Sequence, residues 1–362
     1  MKIIELIPHL HTGGGEKFVV DLSNSLADKG HDCTLLTMYN PMPQDVLRSY
    51  IQDNVKTDSL AKRPGIDFIL IYKILRYVTR HKPDVVHAHL ASITYIFLAA
   101  LFCRKTKFYA TIHSEAKREA GKGISMLIRK ILFKTKFVTA VTISEESEKS
   151  FERIYHYPTV IITNGSSKYK ILDNELNKYT KYREGVDYLF CHASRIHGVK
   201  NPLMLVEAFN KVLNQGINAR LVIAGRPADD KIFEQLKTYF SDKIVYIGEL
   251  SDVRELMSVS DAFCLSSKME GMPITIIEAF SVGCVPIVTP VGGCIDMVEN
   301  GVNGFISSAI DKDSYCNSIM EFVNLDLEKR NQISQAGRQD YGLKYSIDST
   351  AENYLSLFNY GK

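Results

Sequence analysis

The chain has 362 residues, of which 45% are hydrophobic and 23% are charged, values close to those of an average globular protein. This composition excludes a disordered, collagenous or fibrous chain, and the length predicts two domains. The net charge of +3 conceals an asymmetry, because residues 1–168 carry 24 Lys or Arg against 16 Asp or Glu and the remainder carries 20 against 25. The basic half therefore needs an explanation.

The cysteines and the apolar runs indicate the compartment. The seven cysteines are an odd number, never in CxxC spacing and mostly inside apolar runs, as expected of reduced residues in a cytoplasmic protein. Glu5 interrupts the apolar N-terminus, so we expect no export signal. The longest apolar stretch, residues 93–103, is well short of the roughly 20 residues that span a bilayer. Any membrane contact is therefore expected from the surface.

Short apolar runs alternate with amphipathic stretches in the first half of the chain, a pattern typical of βα units around a parallel sheet. Helical patterns include residues 16–29 and 66–80. Together these elements predict one doubly wound domain over residues 1–168. Its predicted strands are residues 3–7, 33–37, 85–88, 108–112, 138–143 and 160–162.

A polar stretch rich in Lys, Asn and Tyr follows, and we interpret residues 169–186 as a linker. The alternation then returns and predicts a second doubly wound domain over residues 187–345. The helical pattern in residues 346–362 is expected to cross back to the first domain. The second domain's predicted elements are strands 188–193, 220–224, 244–247, 262–265 and 285–288 and helices 202–214 and 230–240.

The expected fold class is thus α/β, with two Rossmann-like doubly wound domains. Ligands of such sheets bind beyond the carboxyl ends of the parallel strands. Two such domains that face each other would hold a substrate in the cleft between them. The residues of interest therefore belong to the loops that join strands to helices.

A glycine loop, Gly13 to Gly15, stands between the first predicted strand and a helix expected to open at Glu16. Glycines let the backbone approach a ligand closely, and a helix N-terminus favours an anion. The spacing is not GxGxxG, so a dinucleotide site is weakly supported. A flexible turn is the alternative interpretation.

Two cations, Arg195 and Lys200, lie between a buried strand and the following helix. Arg binds a phosphate as a bidentate fork and Lys as a point charge, and the helix N-terminus adds to both. This arrangement favours a diphosphate site, although solvated surface cations would have the same spacing.

Two glutamates, Glu270 and Glu278, are separated by seven residues. Pro273 suits the first turn of a helix, so Glu270 is predicted in the preceding loop and Glu278 inside the helix. One carboxylate could then accept from hydroxyls beside the helix N-terminus and the other from a ribose. The pair alone is weak evidence, since two glutamates at this spacing often occur by chance.

Together these segments resemble the retaining glycosyltransferases of family four, of the bacterial surface-polysaccharide type, which have the GT-B architecture. The match is most specific from Glu270 to Glu278 and continues through the ENGVNGFI run at residues 299–306. The resemblance implies that Arg195 and Lys200 bind the donor diphosphate, Glu270 the donor sugar and Glu278 the nucleotide ribose. It also assigns to donor binding the residues Gly14, Gly15, Asn164, Gly271, Met272, Pro273 and Ile274, the last three through backbone groups.

His113 resembles the histidine that family members place near the donor sugar, and we therefore count it with Arg195, Lys200 and Glu270 as catalytic. The next residue is Ser114, where many relatives have Asp. A purely structural histidine at a strand end is the alternative. His87 and His89 follow the preceding strand at alternating positions and face either an acceptor or the core.

No metal site is expected. The one Asp-x-Asp string, Asp311 to Asp313, stands at the predicted start of a helix, where the carboxylates would cap the helix. We therefore predict a metal-independent enzyme without a cofactor, in which the nucleotide sugar is a substrate.

The basic excess is concentrated in residues 104–136, with ten Lys or Arg against two Glu. Within it, residues 123–134 form an amphipathic helical pattern with a basic rim. An anionic membrane surface, or a lipid diphosphate held there, explains this pattern, and a core-packed helix with a solvated rim explains it equally well. The residues assigned to the acceptor or membrane are Arg118, Arg129, Lys130 and Lys134. Nucleic acid is not expected, because no recognised module accompanies the charge.

The predicted function is transfer of a hexose or N-acetylhexosamine from a UDP-sugar, with retention of configuration. The predicted acceptor is a hydroxyl of a lipid-diphosphate-linked saccharide in O-antigen, capsule or similar polysaccharide synthesis. The first domain would bind the acceptor and the second the donor, in a cytoplasmic protein held peripherally at the inner face of the cell membrane. A sugar-nucleotide epimerase of the same fold and a non-enzymatic nucleotide-sugar or anionic-lipid binding module are the alternatives.

Overall fold

The computed structural model describes residues 1–65, 67–113, 123–169 and 178–360. The chain divides into two compact units. The first comprises residues 1–167 with residues 345–362, and the second comprises residues 168–344. Each unit contains one parallel sheet with helices packed against it, so the predicted α/β fold class with two Rossmann-like domains is confirmed.

The sheet of the first unit is built from short, mostly apolar strands. They are β1 (Lys2–Ile7), β2 (Asp32–Thr37), β3 (Lys56–Ser59), β4 (Val85–His89), β5 (Lys107–Ile112), β6 (Thr139–Thr142) and β7 (Val160–Ile161). Within the described ranges their order is β3-β2-β1-β4-β5-β6-β7, all parallel. The inner strands β1, β4 and β5 therefore end side by side at the carboxyl edge of the sheet.

Two of the described helices of this unit begin at side-chain caps. Asp67 caps the helix that starts at Phe68 by accepting from the backbone N–H groups of Ile69 and Leu70, and Ser144 caps the helix that starts at Glu145. The first helix begins at Gly14, two residues earlier than predicted, because the Gly13 carbonyl already accepts from the Lys17 N–H. The helices are α1 (Gly14–Asp28), α2 (Phe68–His81), α3 (Phe97–Phe102), α4 (Ile124–Lys134) and α5 (Glu145–Tyr155), with 3-10 turns at Val46–Tyr50 and Leu90–Thr94.

The second unit repeats the plan. Its strands are β8 (Tyr188–Ala193), β9 (Ala219–Ala224), β10 (Ile244–Tyr246), β11 (Ala262–Leu265), β12 (Val285–Val288) and β13 (Phe305–Ile306). Their order is β10-β9-β8-β11-β12-β13. The helices are α6 (Pro202–Asn214), α7 (Asp230–Lys237), α8 (Arg254–Met257), α9 (Ile274–Val282), α10 (Gly293–Met297), α11 (Lys312–Val323) and α12 (Leu327–Asp340), with a 3-10 turn at Lys181–Arg183 and a π-helical turn at Tyr341–Tyr345.

The last helix, α13 (Ile347–Tyr360), belongs to the first unit. Tyr354 and Phe358 are buried there, and the Tyr109 hydroxyl donates to the Leu357 carbonyl at 3.1 Å. The chain approaches this helix closely at Gly165, where a Cβ would lie 2.6 Å from the Thr350 hydroxyl oxygen. Glycine is needed at residue 165 because no side chain fits in that gap.

Candidate active site

The carboxyl ends of β8 and β11 bring together Lys200 and Glu270. The Lys200 Nζ lies 2.6 Å from the Glu270 Oε1, and the Ser267 hydroxyl donates to the same oxygen at 2.5 Å. Both charged side chains are largely buried, 24% and 9% exposed. No described residue bonds the other carboxylate oxygen, Oε2. One oxygen of Glu270 is thus occupied and the other is available to a ligand.

The loop that carries Lys200 is tied to the neighbouring loop by its backbone. The Ser266 hydroxyl donates to the carbonyls of Lys200 and Asn201 at 3.0 and 3.2 Å, and the Lys268 N–H donates to the Val199 carbonyl. Asn201 has a left-handed conformation, with φ of 54°, and α6 starts at the next residue, Pro202. This turn aims the N-terminus of α6 at the carboxyl edge of the sheet.

Arg195 lies at the start of the same loop, just beyond β8. Its side chain is exposed, and no described residue accepts a hydrogen bond from its guanidinium group. The Ile196 N–H that follows is held by the Arg226 carbonyl at 2.9 Å. Arg195 is therefore a fixed backbone position with a charged fork open to an anion.

The loop around Glu270 and the helix around Glu278 are found as predicted from the sequence, except for the position of Pro273. Glu270 precedes α9 and Glu278 lies buried inside it. Pro273 is the N-cap and not the first helical residue. Since proline has no N–H, Pro273 has no backbone donor to offer a ligand, which corrects the expectation that all three residues act through backbone N–H groups.

The Gly271 carbonyl is held by a neighbouring glycine. It accepts from the Gly293 N–H at 2.7 Å, and a Cβ at Gly293 would overlap that carbonyl oxygen. Glycine at 293 therefore lets α10 pack directly against the loop between Glu270 and α9. This contact holds the loop through its backbone.

His192, the fifth residue of β8, was not predicted from the sequence as a site residue. Its Nδ1 donates to the Cys264 carbonyl at 2.8 Å, so its Nε2 accepts from the Ser194 hydroxyl at 2.8 Å. Burial is the main reason that the pKa of His192 is lowered to about 4. A neutral histidine thus supports the backbone directly before Arg195.

In the first unit, the carboxyl ends of β4 and β5 bring His113 beside His89. The His113 Nε2 lies 2.9 Å from the His89 Nδ1. A Cβ at Gly15 would lie 3.4 Å from the His113 ring, so the glycine loop approaches this histidine closely. Gly14 and Gly15 occupy the first turn of α1, and Asn164 is buried in the same unit near the end of the β7 segment.

Glu5 belongs with His89 and His113, although the sequence did not predict it as a site residue. Its Oε2 lies 2.7 Å from the His89 Nε2 and 3.0 Å from the His87 Nδ1, and all three side chains are fully buried. The His87 Nε2 lies 2.7 Å from the Thr111 hydroxyl, which lies 2.8 Å from the Tyr354 hydroxyl. The sequence does contain a signal for this group: a single Glu in the apolar strand β1 and the His-x-His pattern in β4. The two strands are adjacent in the sheet, which brings these side chains together.

The charge states of this group follow from burial. Burial alone raises the pKa of the Glu5 carboxyl, but the interactions with His87 and His89 outweigh it and lower the pKa to about 2. Burial lowers the pKa of His89 to about 4. Burial, with smaller contributions from His89 and His87, lowers the pKa of His113 well below its usual value. Near neutral pH the carboxylate is charged and both His89 and His113 are neutral.

Within the described residues, one group has the spacing of metal ligands. Ligand atoms of Glu5, His87 and His89 lie within 4.8 Å of one another. The contacts of the two imidazoles with one Glu5 oxygen account for this spacing without an ion. Asp311 caps α11 by accepting from the N–H groups of Asp313 and Ser314, so its carboxylate has the structural role that its position suggested.

The residues assigned to an acceptor or membrane separate into three groups. Lys130 and Lys134 are exposed on α4. Arg129 is only 2% exposed, and it donates to the Leu90 carbonyl and the Thr94 hydroxyl. Its assignment to a membrane surface was wrong, because the amphipathic pattern cannot separate a buried cation from one on the rim. Arg118 lies outside the described residues.

Comparison with known proteins identifies the class. The first unit matches the family model of Glycosyltransferase Family 4 over residues 12–166, and the second matches that of Glycosyl transferases group 1 over residues 175–340. The protein is a glycosyltransferase with the GT-B fold. It belongs to family four, as the glycine loop and the Glu270 to Glu278 segment predicted.

Two relatives and one solved structure illustrate the similarity. The chain is 22% identical to N-acetyl-alpha-D-glucosaminyl L-malate synthase of Bacillus anthracis, over 96% of this chain and 93% of the relative. It is 28% identical to UDP-Gal:alpha-D-GlcNAc-diphosphoundecaprenol alpha-1,3-galactosyltransferase of Escherichia coli, over 77% of each. The crystal structure of Anabaena HepE in complex with UDP superposes with a TM-score of 0.83 at 17% identity, over 99% of this chain and 100% of that one.

Among the helices that the structure describes, none has the length and apolarity required to cross a bilayer.

We expect acid to destabilise the folded protein through two of its buried histidines, His89 and His192. Unfolded histidines take up a proton near pH 6.5, whereas His89 and His192 in the folded chain do so only near pH 4. Stability is therefore complete above pH 6.5 and falls as the pH drops toward 4. At pH 5 each of the two costs about 2 kcal/mol of unfolding free energy.

Urea unfolding at pH 7 and pH 5 measures this loss. His192→Gln should reduce the pH dependence by about 2 kcal/mol. The matched control is His156→Asn at an exposed helix end, which should leave the pH dependence intact. Equal pH dependence in wild type and His192→Gln would contradict the assignment of a neutral His192.

Proposed function

We propose that the protein is a retaining glycosyltransferase that moves a hexose or N-acetylhexosamine from a UDP-sugar to a lipid-diphosphate-linked saccharide. The observation that carries the proposal is the exposed Arg195 guanidinium, which lies in the same loop as the Lys200 that pairs with Glu270. The relatives support the substrate classes, since the Escherichia coli protein is named for UDP-Gal and a diphosphoundecaprenol acceptor, and Anabaena HepE was solved with UDP. The process proposed is synthesis of a surface polysaccharide such as O-antigen or capsule.

The second unit is the proposed donor-binding unit. Arg195 would hold the diphosphate as a fork, and Lys200 would reach it as a point charge from the start of α6. As the bond between sugar and phosphate breaks, negative charge grows on the leaving diphosphate. Preorganised donors aimed at such charge contribute about 3 kcal/mol each. The N-terminus of α9, through the Met272 and Ile274 N–H groups, would add to them.

The two glutamates have separate proposed roles. Glu270 would accept from a sugar hydroxyl through Oε2 while Lys200 and Ser267 hold its Oε1. Glu278, one turn into α9, would accept from the ribose hydroxyls. Glu270 in this role orients the sugar and forms no covalent bond with it. Gly271 and Pro273 shape the loop between the two carboxylates.

The proposed reaction keeps the anomeric configuration by front-face attack. The bond between the anomeric carbon and the donor phosphate oxygen breaks, and a bond to the acceptor hydroxyl oxygen forms on the same face. The acceptor's proton passes to the departing phosphate oxygen. His113 is proposed to contact the sugar, with the backbone of Gly14 and Gly15 approaching closely and Asn164 near the donor.

The first unit is the proposed acceptor-binding unit, and three of its helices suit an anionic membrane. α2, α3 and α4 contain no Asp or Glu, and α3 packs against both of the others. Phe68, Tyr72 and Phe102 are each at least 60% exposed, and so is most of Leu127. These helices and the turn after α3 also carry the exposed cations Arg76, Arg80, Lys105, Lys130 and Lys134. Apolar side chains with a basic rim and no acid are what a membrane interface with anionic lipid favours.

A panel of UDP-sugars, scored for slow hydrolysis without an acceptor, tests the donor assignment. We expect one UDP-sugar to be hydrolysed, with release of UDP. Arg195→Ala should lower that rate by about 100-fold or more, because it removes a preorganised donor to the leaving group. Lys231→Ala, which removes another exposed cation of the second unit, is the matched control and should be neutral.

Failure to bind any nucleoside diphosphate, or unchanged binding and hydrolysis in Arg195→Ala, would overturn the proposal. Conversion of the nucleotide sugar to its epimer would favour the epimerase alternative. UDP binding without turnover, unaffected by Glu270→Gln and Glu278→Gln, would favour a binding module. Once the donor is known, a panel of acceptors tests the transfer step. Because the Bacillus anthracis relative is named for L-malate, this panel should contain L-malate as well as lipid-linked saccharides.

The proposed charge stabilisation by Arg195, Lys200 and the helix termini needs no metal ion. We therefore expect the transfer rate with the matched donor and acceptor to stay the same after dialysis against EDTA. A rate lost in EDTA and restored by a divalent cation would show that this part of the proposal is wrong, and it would leave the donor assignment standing.

Co-sedimentation with lipid vesicles tests the membrane assignment. The protein should bind vesicles of phosphatidylcholine with phosphatidylglycerol and not vesicles of phosphatidylcholine alone. Lys130→Glu with Lys134→Glu should weaken binding at least about tenfold, since each cation near the surface contributes about 1 kcal/mol. Lys231→Glu with Lys329→Glu, which reverses two exposed charges in the second unit, is the control. Equal loss in both double variants would contradict a specific face.

A further inference from the structure

A chain of hydrogen bonds links a buried carboxylate in β1 to His113. The Glu5 Oε2 lies 2.7 Å from the His89 Nε2, and the His89 Nδ1 lies 2.9 Å from the His113 Nε2. Glu5 and His89 are fully buried. The chain ends at the His113 Nδ1, which is itself buried and has no hydrogen-bond partner among the described residues.

The proton on each nitrogen of this chain can be assigned in sequence. An ionised carboxylate only accepts, so the His89 Nε2 must carry a proton and donate it to Glu5. A neutral His89 then has a lone pair on Nδ1, which accepts from a proton on the His113 Nε2. A neutral His113 is left with a lone pair on Nδ1. The buried Glu5 carboxylate thus determines the tautomer of His113 through two successive hydrogen bonds.

The ring orientation is fixed as well. Phe18 packs edge-on against His113 with ring centroids 5.5 Å apart. On another side Gly15 lies so close that a Cβ there would be in van der Waals contact with the His113 Cγ. A partner that binds the Nδ1 lone pair must donate a hydrogen bond. A sugar hydroxyl can donate one, whereas an ionised phosphate oxygen cannot.

We propose that Glu5 and His89 are positioning residues that hold His113 as the Nε2–H tautomer, with its Nδ1 accepting a hydrogen bond from a hydroxyl of the donor sugar. This inference deepens the proposed function and rests on it for the identity of the hydroxyl. It distinguishes the sugar from the diphosphate, because the Nδ1 lone pair accepts from a hydroxyl and has no N–H to donate to an ionised phosphate oxygen. The buried Glu5 thereby contributes to recognition of the sugar without touching it.

The other branch of the buried group supplies a control. His87, Thr111 and Tyr354 share hydrogen bonds with one another, and His87 also contacts Glu5. None of the three has a described hydrogen bond to His89 or His113. Tyr354→Phe removes one hydroxyl from this branch and leaves the path from Glu5 to His113 intact.

The direct test is the protonation of His113 measured by ¹⁵N–¹H correlation spectra of histidine-labelled protein, with His113→Gln identifying its signals. Wild type should show a proton on Nε2 and none on Nδ1. In Glu5→Gln the amide can donate to the His89 Nε2, which reverses the chain, so a proton should appear on the His113 Nδ1. Tyr354→Phe should keep the wild-type pattern.

Kinetics provide the second readout. Glu5→Gln should lower kcat/KM for hydrolysis of the matched UDP-sugar about fivefold, because the sugar hydroxyl must turn to accept from Nδ1–H and gives up the orientation in which it donates. The Kd for UDP, which has no sugar at that position, should stay unchanged. Tyr354→Phe should change neither value. A general structural effect of Glu5→Gln would instead lower both UDP binding and hydrolysis.

A proton on the wild-type His113 Nδ1 would overturn the proposal, as would Glu5→Gln hydrolysis equal to wild type. If Glu5→Gln fails to fold, the wild-type spectrum still decides the tautomer. If no UDP-sugar is hydrolysed or bound by wild type, the proposed function fails, and the spectra still decide whether Glu5 controls the tautomer of His113.

Discussion

The ion pair between Lys200 and Glu270 joins two loops that are 70 residues apart in sequence, and the organisation of the second unit's site depends on it. β8 and β11 are neighbours in the sheet, so the loops that follow them meet at its carboxyl edge. The pair neutralises a carboxylate where we propose that a diphosphate binds, which would otherwise repel it. Because Lys200 takes that role, Arg195 remains without an acidic partner among the described residues and keeps its full charge for the anion.

The first unit differs, since it buries a charged carboxylate and keeps His89 and His113 neutral. A buried carboxylate is costly unless it is hydrogen-bonded, and His87 and His89 compensate Glu5 from the adjacent strand. The same burial keeps His113 from ionising. In the function we propose, this neutral imidazole would recognise a hydroxyl group, and the cations of the second unit would stabilise the leaving diphosphate.

Much of this organisation was predictable from the sequence, because the inner strands are continuous apolar runs and the helix over residues 202–214 begins at a proline and has a buried face. β3 was missed because it is a polar edge strand, and β13 because its two residues directly follow a turn with two glycines, Gly301 and Gly304. The partners of Glu5 and the burial of Arg129 depend on strand order and helix packing. The spacing of residues within one strand or helix does not contain that information, so a lone Glu was interpreted only as a break in an apolar run.

A crystal structure of the protein with UDP tests most directly whether Arg195, Lys200 and the two glutamates form the donor site. We expect the diphosphate within hydrogen-bonding distance of Arg195 and Lys200, and the ribose hydroxyls on the Glu278 carboxylate. UDP bound elsewhere, or with its ribose away from Glu278 and its phosphates away from Arg195, would contradict it.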